Sequence, residues 1–266
     1  MKRPAVLGLC ITVAACTGSV AAPSTFSGDA AIEAPAASAS PATPSATPPI
    51  EAGPPCAADM ILVEGDYCPT PIQICKRWLD PPGPYQDYRC AEYAQPATCK
   101  GARVRERFCI DREEYVAPGD ALPLANQSWT SAKETCESLG KRLCLESEWQ
   151  FACEGEELRP YPYGFKRDAT ACNIDRMDLG KPNGGLRDLR APITDYPKCL
   201  SPFGVHGMSG NIEEWTTIDD GKAPQRSSMK GAWWLPGKNT CRARTVGHGE
   251  IYRGKQVGVR CCADPK

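Results

Sequence analysis

Sixteen cysteines fall in a chain of 266 residues. That density constrains the fold more than any other feature, because thiols at this frequency pair in an oxidising compartment. A chain so cross-linked can hold long irregular loops that hydrophobic packing alone would leave mobile. Between about Ser24 and Pro55 the sequence is Ala, Pro, Ser and Thr with almost no large apolar residue. Such a stretch cannot bury a core and reads as a disordered, semi-extended tether. From Cys56 onward aromatics, Gly, Cys and charges are mixed without an internal repeat, which predicts one folded domain over residues 56–266.

The N-terminus agrees with the cysteine count. MKRPAVLGLCITVAAC has a Lys-Arg start and an apolar run too short to span a bilayer, the pattern of a signal peptide. Its VAAC ending resembles a bacterial lipobox. That resemblance implies a signal over residues 1–16, lipid on Cys16, a tether over 17–55 and an outer-membrane lipoprotein of the cell envelope. Cys10 would leave with the signal. The alternative is a secreted protein cut near Ala21-Ala22.

A net charge of −1 argues against nucleic acid as the main partner. RVRER, Arg103 to Arg107, is a charge run long enough only for one solvated strand face. There is no C-x-x-C pair and there are two histidines, His206 and His248, so zinc and histidine-rich iron sites are not expected. No Gly-rich stretch follows a strand and opens a helix, as a nucleotide loop requires. No hydrolase nucleophile motif stands out. His206 is expected to pack or hydrogen-bond in its turn. His248 in GHGEIY is a groove residue, an acid/base or merely solvated. Asp111, Glu113 and Glu114 read as a solvated strand edge.

Local pattern places several elements. Met60–Val63 reads as an opening strand before a turn at Gly65-Asp66, and RFCIDREEYV as a strand with Phe108 and Ile110 inward. SWTSAKETCESLGKRL is the clearest helix: Ser128 as N-cap, Ser131 at the third position, Ala132, Cys136 and Leu139 on one face, and Gly140 at the left-handed end. LESEWQFACEG gives a short second helix that sets Trp149 and Cys153 together. Beyond Pro160 the chain is turns and brief strands.

The motifs FCIDREEY, GKRL followed by ESEW, YPYG, SPFGVHGMSGNIEEW, a Trp-rich turn and GVRC occur in that order. Together they resemble the formylglycine-generating enzyme (sulfatase-modifying factor) family, from about Met60 to the C-terminus, with a Cys-rich insertion over about residues 68–109. The resemblance implies an α+β fold, loop-rich and disulfide-stapled, a variant of the C-type-lectin-like fold. Members of that family hold Cu(I) between two cysteines, in a segment like RGGSWxCxxxxC, and use oxygen to convert a sulfatase cysteine to formylglycine. Two soft thiolates suit Cu(I).

Laid on that segment, KGAWWLPGKNTC departs from it. Trp233 replaces the serine, and Pro236 stands where the first copper cysteine is expected. Cys241 could be laid on the second copper cysteine, but CRAR resembles better the family's structural RCAAR run. The resemblance implies bridges Cys136–Cys261 and Cys153–Cys241, which are complete only if Cys241 is structural. In the entropic model a loop of roughly a hundred residues closed this way restricts the unfolded chain by about 4–5 kcal/mol. Cys144 and Cys262 are extra relative to the family and either bond to each other or make a new metal site. A bridge Cys172–Cys199 is reasonable, whereas the partners of Cys56, Cys68, Cys75, Cys90, Cys99 and Cys109 stay open.

Calcium, a hard cation that takes oxygen ligands, is the cofactor the resemblance implies, and copper is not expected. By position the carbonyls of Gly210 and Ile212 and the carboxylate of Glu214 would form one site. Gly207 replaces the usual Asp or Asn there, which weakens it, and Glu214 as a salt-bridge partner is the alternative. Asn173 and Ile174 resemble a second site, with Asp188 a weak candidate for its acid. The function expected is a binding or structural module that recognises a protein or glycan at the cell surface. Tyr161, Tyr163, Trp233, Trp234 and His248 are candidates for the binding face, each equally readable as core. The alternative is an oxygen-dependent oxidoreductase acting on a protein cysteine, which would need an unexpected thiol pair.

Overall fold

The structure, a computed structural model, describes residues 53–181 and 183–266. The expected signal peptide over residues 1–16, Cys16 as the expected lipid site and the part of the expected tether up to residue 52 lie outside the described residues. The first strand, β1 (Met60–Tyr67), is longer than its apolar opening suggests. It is followed by a set of short strands: β2 (Pro71–Ile72), β3 (Cys75–Trp78), β4 (Cys90–Tyr93) and β5 (Thr98–Cys99). Here β2 pairs with β5 and β3 with β4, so the insertion is two nested antiparallel ribbons. Three nested disulfides follow the same pattern: Cys56–Cys109, Cys68–Cys99 and Cys75–Cys90.

The chain returns in β6 (Val104–Asp111), antiparallel to β1 along its full length. Arg105 and Arg107 reach across to Glu64 on the solvated side of that pair, while Phe108 and Ile110 are buried. Helix α1 (Trp129–Ser138) opens at Ser128, whose side chain accepts from the Ser131 amide at 3.1 Å while the Ser131 hydroxyl accepts from the Ser128 amide at 2.9 Å. This reciprocal pair satisfies two amides that the first turn leaves unpaired. Ala132 and Cys136 are buried; Leu139, expected on the same face, caps the helix and is exposed. Gly140 has φ +69°, the left-handed turn that ends the helix.

After β7 (Arg142–Leu143), helix α2 (Glu146–Glu154) is buried at nearly every position. Glu148 accepts from the Leu145 amide at 2.8 Å and pairs bidentately with Arg142 at 2.7 Å. The remaining strands are β8 (Glu213–Thr217), β9 (Ser227–Lys230), β10 (Arg244–Thr245), β11 (Val257–Gly258) and β12 (Cys261–Ala263). They complete two four-stranded sheets, ordered β1-β6-β12-β7 and β10-β9-β8-β11. Val63, Phe108, Ile110, Trp149, Phe151 and Met208 form one core, and Trp129, Ala132, Trp215, Met229 and Val259 a second.

Four further disulfides hold the body: Cys136–Cys261, Cys144–Cys262, Cys153–Cys241 and Cys172–Cys199. Each cysteine of 56–109 is bonded within that segment and each later one within the body. The presumed solvated edge is corrected. Asp111 and Glu114 are buried: β12 pairs beside β6 in the same sheet, so that Asp111 accepts from Lys141 at 2.6 Å and from the Cys261 amide at 2.9 Å, and Glu114 beyond the strand accepts from Asn211. Glu113 does keep to the rim, where it meets His206 Nδ1 at 2.7 Å and raises that imidazole's pKa.

Candidate functional site

The segment Lys230–Cys241 leaves the second sheet and turns back on itself. Gly231 has φ +84°, and a Cβ there would stand 3.4 Å from the Trp149 ring, so the turn passes close over α2. Ala232 follows with φ +55°, a conformation unfavourable for a side-chain-bearing residue. The two indoles then meet edge to face, centroids 5.0 Å apart. Asn239 locks the turn from within: its Nδ2 donates to the Trp233 carbonyl at 2.9 Å, and its Oδ1 accepts from Arg167 at 2.9 Å. Cys241, bonded to Cys153 on α2, pins the far end.

Trp233 divides two clefts. On one side, a cleft of about 380 Å³ is lined by Glu213, Met229, Leu235, Pro236, Arg244 and Thr245, and Tyr88 of the insertion reaches its edge. Glu213 is buried there, which raises its pKa, against the hydrogen bond it accepts from the Thr245 hydroxyl at 2.7 Å. On the other side a cleft of about 670 Å³ is lined by Lys181, Leu186, Arg187, Arg190, Lys255 and Gln256, with Asp188, Asn126 and both indoles.

The chain's own donors do not fit copper in this segment. Pro236 offers no sulfur, and Cys241 is a disulfide, not a thiolate. Among the described residues all fourteen cysteines are bonded in seven pairs.

For calcium the two implied positions differ. Glu214 has no free oxygen: Arg260 Nε and Nη2 donate to it at 2.8–3.0 Å and Trp149 Nε1 at 2.5 Å, all buried. A guanidinium occupies the face of the carboxylate that a cation would need, and lies 3.6 Å from where a Cβ on Gly207 would be. The Gly210–Ile212–Glu214 set therefore does not fit calcium. At Asn173 the amide nitrogen donates to the Leu189 carbonyl and to Asn211, at 2.8 and 2.9 Å, and Oδ1 is buried without a partner. Asp188, the weak candidate acid, is paired with Arg190. Glu114 is nearer this network: its Oε2 accepts from Asn211 at 2.6 Å and its Oε1 has no partner. Burial and Glu214 push Glu114 up to about 8.

The five binding-face candidates do not share a surface. Trp233 is half-buried at the clefts; Trp234, which touches the floor of the larger cleft, and Tyr161, which lines neither, are buried and are corrected as exposed aromatics. Trp234 packs beneath the turn, its carbonyl accepting from the Arg176 amide at 2.8 Å. Tyr161 lies under the insertion and donates to the Cys90 carbonyl at 2.6 Å, with half-buried Tyr163 stacked on it at 5.5 Å. His248 stacks on Tyr252, centroids 3.9 Å apart, and lines neither cleft.

Three features of the site were missed from sequence. Glu213 had a readable signal: it precedes Glu214 in a strand, so the pleat puts the two carboxylates on opposite faces. The cation cluster and Tyr88 had none, because their neighbours come from distant parts of the chain. Lys230, laid on the family's arginine, is fully buried 3.6 Å from Glu146, and burial pushes it down to about 7.

Residues 85–265 match the sulfatase-modifying factor enzyme 1-like domain family. The inactive C-alpha-formylglycine-generating enzyme 2 of Bos taurus is 29% identical over 184 residues, covering 65% of this chain and 56% of that one. The formylglycine-generating enzyme of Bos taurus is 32% identical over 166 residues, covering 53% and 44%. The chain thus spans about half the length of these relatives. The crystal structure of CarF superposes with a TM-score of 0.52 at 15% identity, over 77% of this chain and 98% of that one, a likeness of fold.

Proposed function

The chain belongs to the sulfatase-modifying factor enzyme 1-like family, and from that premise we propose that it is a member without copper chemistry, a cell-envelope lipoprotein whose domain binds a ligand in the clefts beside Trp233. The observation that carries the reading is the pairing of Cys241 with Cys153 in a segment where Pro236 replaces the other sulfur. Cu(I) oxidase chemistry needs two reduced thiolates facing a substrate thiol. Here both positions are closed, yet the turn is held rigidly and its clefts remain open. Loops fixed by a rigid scaffold are where recognition concentrates. That one relative is named an inactive C-alpha-formylglycine-generating enzyme supports the reading.

The lipid on Cys16 and the Ala/Pro/Ser/Thr tether would hold this face away from the membrane. Cys16→Ala should release the protein from the membrane fraction. A structural calcium belongs in this proposal only at Asn173 and the Ile174 carbonyl. Chelation should then lower the melting temperature of the wild type and not of Asn173→Ala.

Thiol titration of the unreduced, denatured protein tests the main reading, together with competition for Cu(I) against a chromogenic chelator. The expected result is no titratable thiol from the domain and no stoichiometric copper. Two reactive thiols, or one tightly held Cu(I) lost on Cys241→Ser, would restore the alternative of an oxidoreductase acting on a protein cysteine.

A further inference from the structure

We propose that the larger cleft, between Trp233 and Lys255, takes an acidic peptide. Four cations line it, Lys181, Arg187, Arg190 and Lys255, in a chain whose net charge is −1. They come from two stretches of sequence more than sixty residues apart, so the cluster is assembled by the fold and is not a basic run.

The charges are incompletely neutralised. The one acid among the lining residues, Asp188, is held by Arg190 through Nε at 3.0 Å and Nη2 at 2.6 Å. Arg187 shares Asp178 with Arg176, at 3.1 and 3.0 Å. Lys181 and Lys255 are exposed and have no acid within salt-bridge distance among the described residues. Such a wall is rich in donors and poor in free acceptors. A neutral saccharide, whose hydroxyls need both, matches it badly, whereas carboxylates, which only accept, match it well.

Apolar surface beside the cations narrows the class further. Trp233 and Leu186 face the same cleft, and beyond Trp233 the second cleft adds Leu235, Pro236 and Met229. A peptide presents acidic and apolar side chains from one backbone, and the amides of Asn126 and Gln256 can meet that backbone. A sulfated saccharide offers the charge without the apolar side chains. The volume of about 670 Å³ is in the range of sites that enclose a few residues.

This inference rests on the reading of the domain as a binding module. Its test uses the full-length chain in detergent and three fluorescent probes: a peptide alternating glutamate with leucine, its glutamine analogue, and a sulfated oligosaccharide of equal charge. The acidic peptide should bind, and the glutamine analogue should bind at least about tenfold more weakly. Lys181→Glu with Lys255→Glu should weaken the acidic peptide by about tenfold or more, and added salt should weaken it further. The charge-matched pair Lys100→Glu with Lys222→Glu, outside both clefts, should leave it unchanged. Trp233→Ala should weaken the acidic peptide more than a peptide of glutamate and glycine. Equal binding of the glutamine analogue, no effect of the cleft variants, or binding of the sulfated saccharide alone would overturn the proposal. Failure here with a thiol count of zero sinks the ligand class and leaves the copper-free reading standing; free thiols sink that reading itself.

Discussion

Residues 68–109 and the body that follows keep their apolar and charged groups in opposite places. The insertion exposes Ile72, Ile74, Trp78, Leu79, Tyr85 and Tyr88, and ahead of β6 it buries only Cys68, Cys90 and Ala91. The body buries Glu114, Glu146, Glu154, Glu213, Glu214, Lys230 and Arg260. Apolar side chains outside are tolerable because nested disulfides spanning 15, 31 and 53 residues constrain the ribbons without a core. Charges inside are held by partners that the two sheets and α2 fix, Arg260 for Glu214, Arg242 for Glu154 and Arg244 for Glu146, whereas Glu114, Glu213 and Lys230 lack a full ion pair and have their pKa values pushed toward the neutral form by burial. Covalent closure leaves a segment's side chains free for its surface, while a packed body can hold polar groups that no loop could order. The site lies where the two meet: the body supplies the turn and the cations, and the insertion supplies Tyr88.

The largest expected effect is in the body. Glu214→Gln leaves Arg260 buried with its charge unpaired, which should cost about 3–5 kcal/mol in denaturant unfolding with the disulfides intact. Replacing both residues by methionine should recover most of that loss, since the cost comes from the orphaned charge and not from the absent bond. If the single and double variants were equally unstable, the buried pair would be holding shape in some way other than charge compensation.

Removing Cys75 and Cys90 together tests the other half of the comparison. The bridge closes 15 residues, for which the entropic model gives about 3 kcal/mol. Hydrogen exchange should speed up in β3 and β4 while the body's unfolding midpoint stays put. A fall in both would mean that the insertion, which also pairs with the body through the Tyr93 amide and the Phe165 carbonyl at 2.9 Å, is part of one cooperative unit.

Lys230→Met should come next, with the opposite sign. The buried ammonium has an imperfect partner at 3.6 Å, so the variant should gain on the order of 1–2 kcal/mol at neutral pH. Its folded value of about 7 lies below the ordinary 10.5, so over that interval the unfolded chain binds the extra proton. Stability of the wild type therefore rises with pH between those values, and the advantage of Lys230→Met is widest below pH 7 and shrinks as pH rises. Parallel melting curves at pH 6 and about pH 10 read the difference. A constant gap would mean that Lys230 stays charged.

How much of this was legible in the sequence follows from the range of each interaction. Helix α1 could be read because Ser128, Ser131, Cys136 and Gly140 act within a few residues of one another. The family motifs carried the course of the body because they recur in order. Burial of Asp111 and Glu114 was not legible: charged residues at the end of a strand look solvated until β12, about 150 residues later, pairs beside Asp111 and the Asn211 loop meets Glu114. The same holds for Trp234 and Tyr161, whose surroundings come from other loops. The cleft cations are further still from local pattern, since nothing near Lys181 announces Lys255. Sequence thus showed where KGAWWLPGKNTC departs from the family's segment, and only the assembled loops showed what lies beside it.

The smallest effect sharpens the comparison most. In the insertion Lys76 Nζ lies 3.1 Å from Glu92, hardly further than Arg260 from Glu214 in the body at 2.8 Å. Distance alone would rank the two pairs together. Yet the Lys76 side chain is 56% exposed and Glu92 31%, against 0% and 1% for the buried pair. Solvent screens the first pair, and holding two long side chains together opposes its formation. Neither partner was stripped of water to make it, so neither is stranded when the other is removed. Lys76→Ala should leave the unfolding midpoint within error at low and high salt alike. A clear loss, vanishing with salt, would show that Lys76 and Lys166, 3.9 Å from the same carboxylate, act on Glu92 as a network that fastens the hairpin to the body. The insertion would then depend on charge as well as on sulfur, and the division between the two regions would be one of degree.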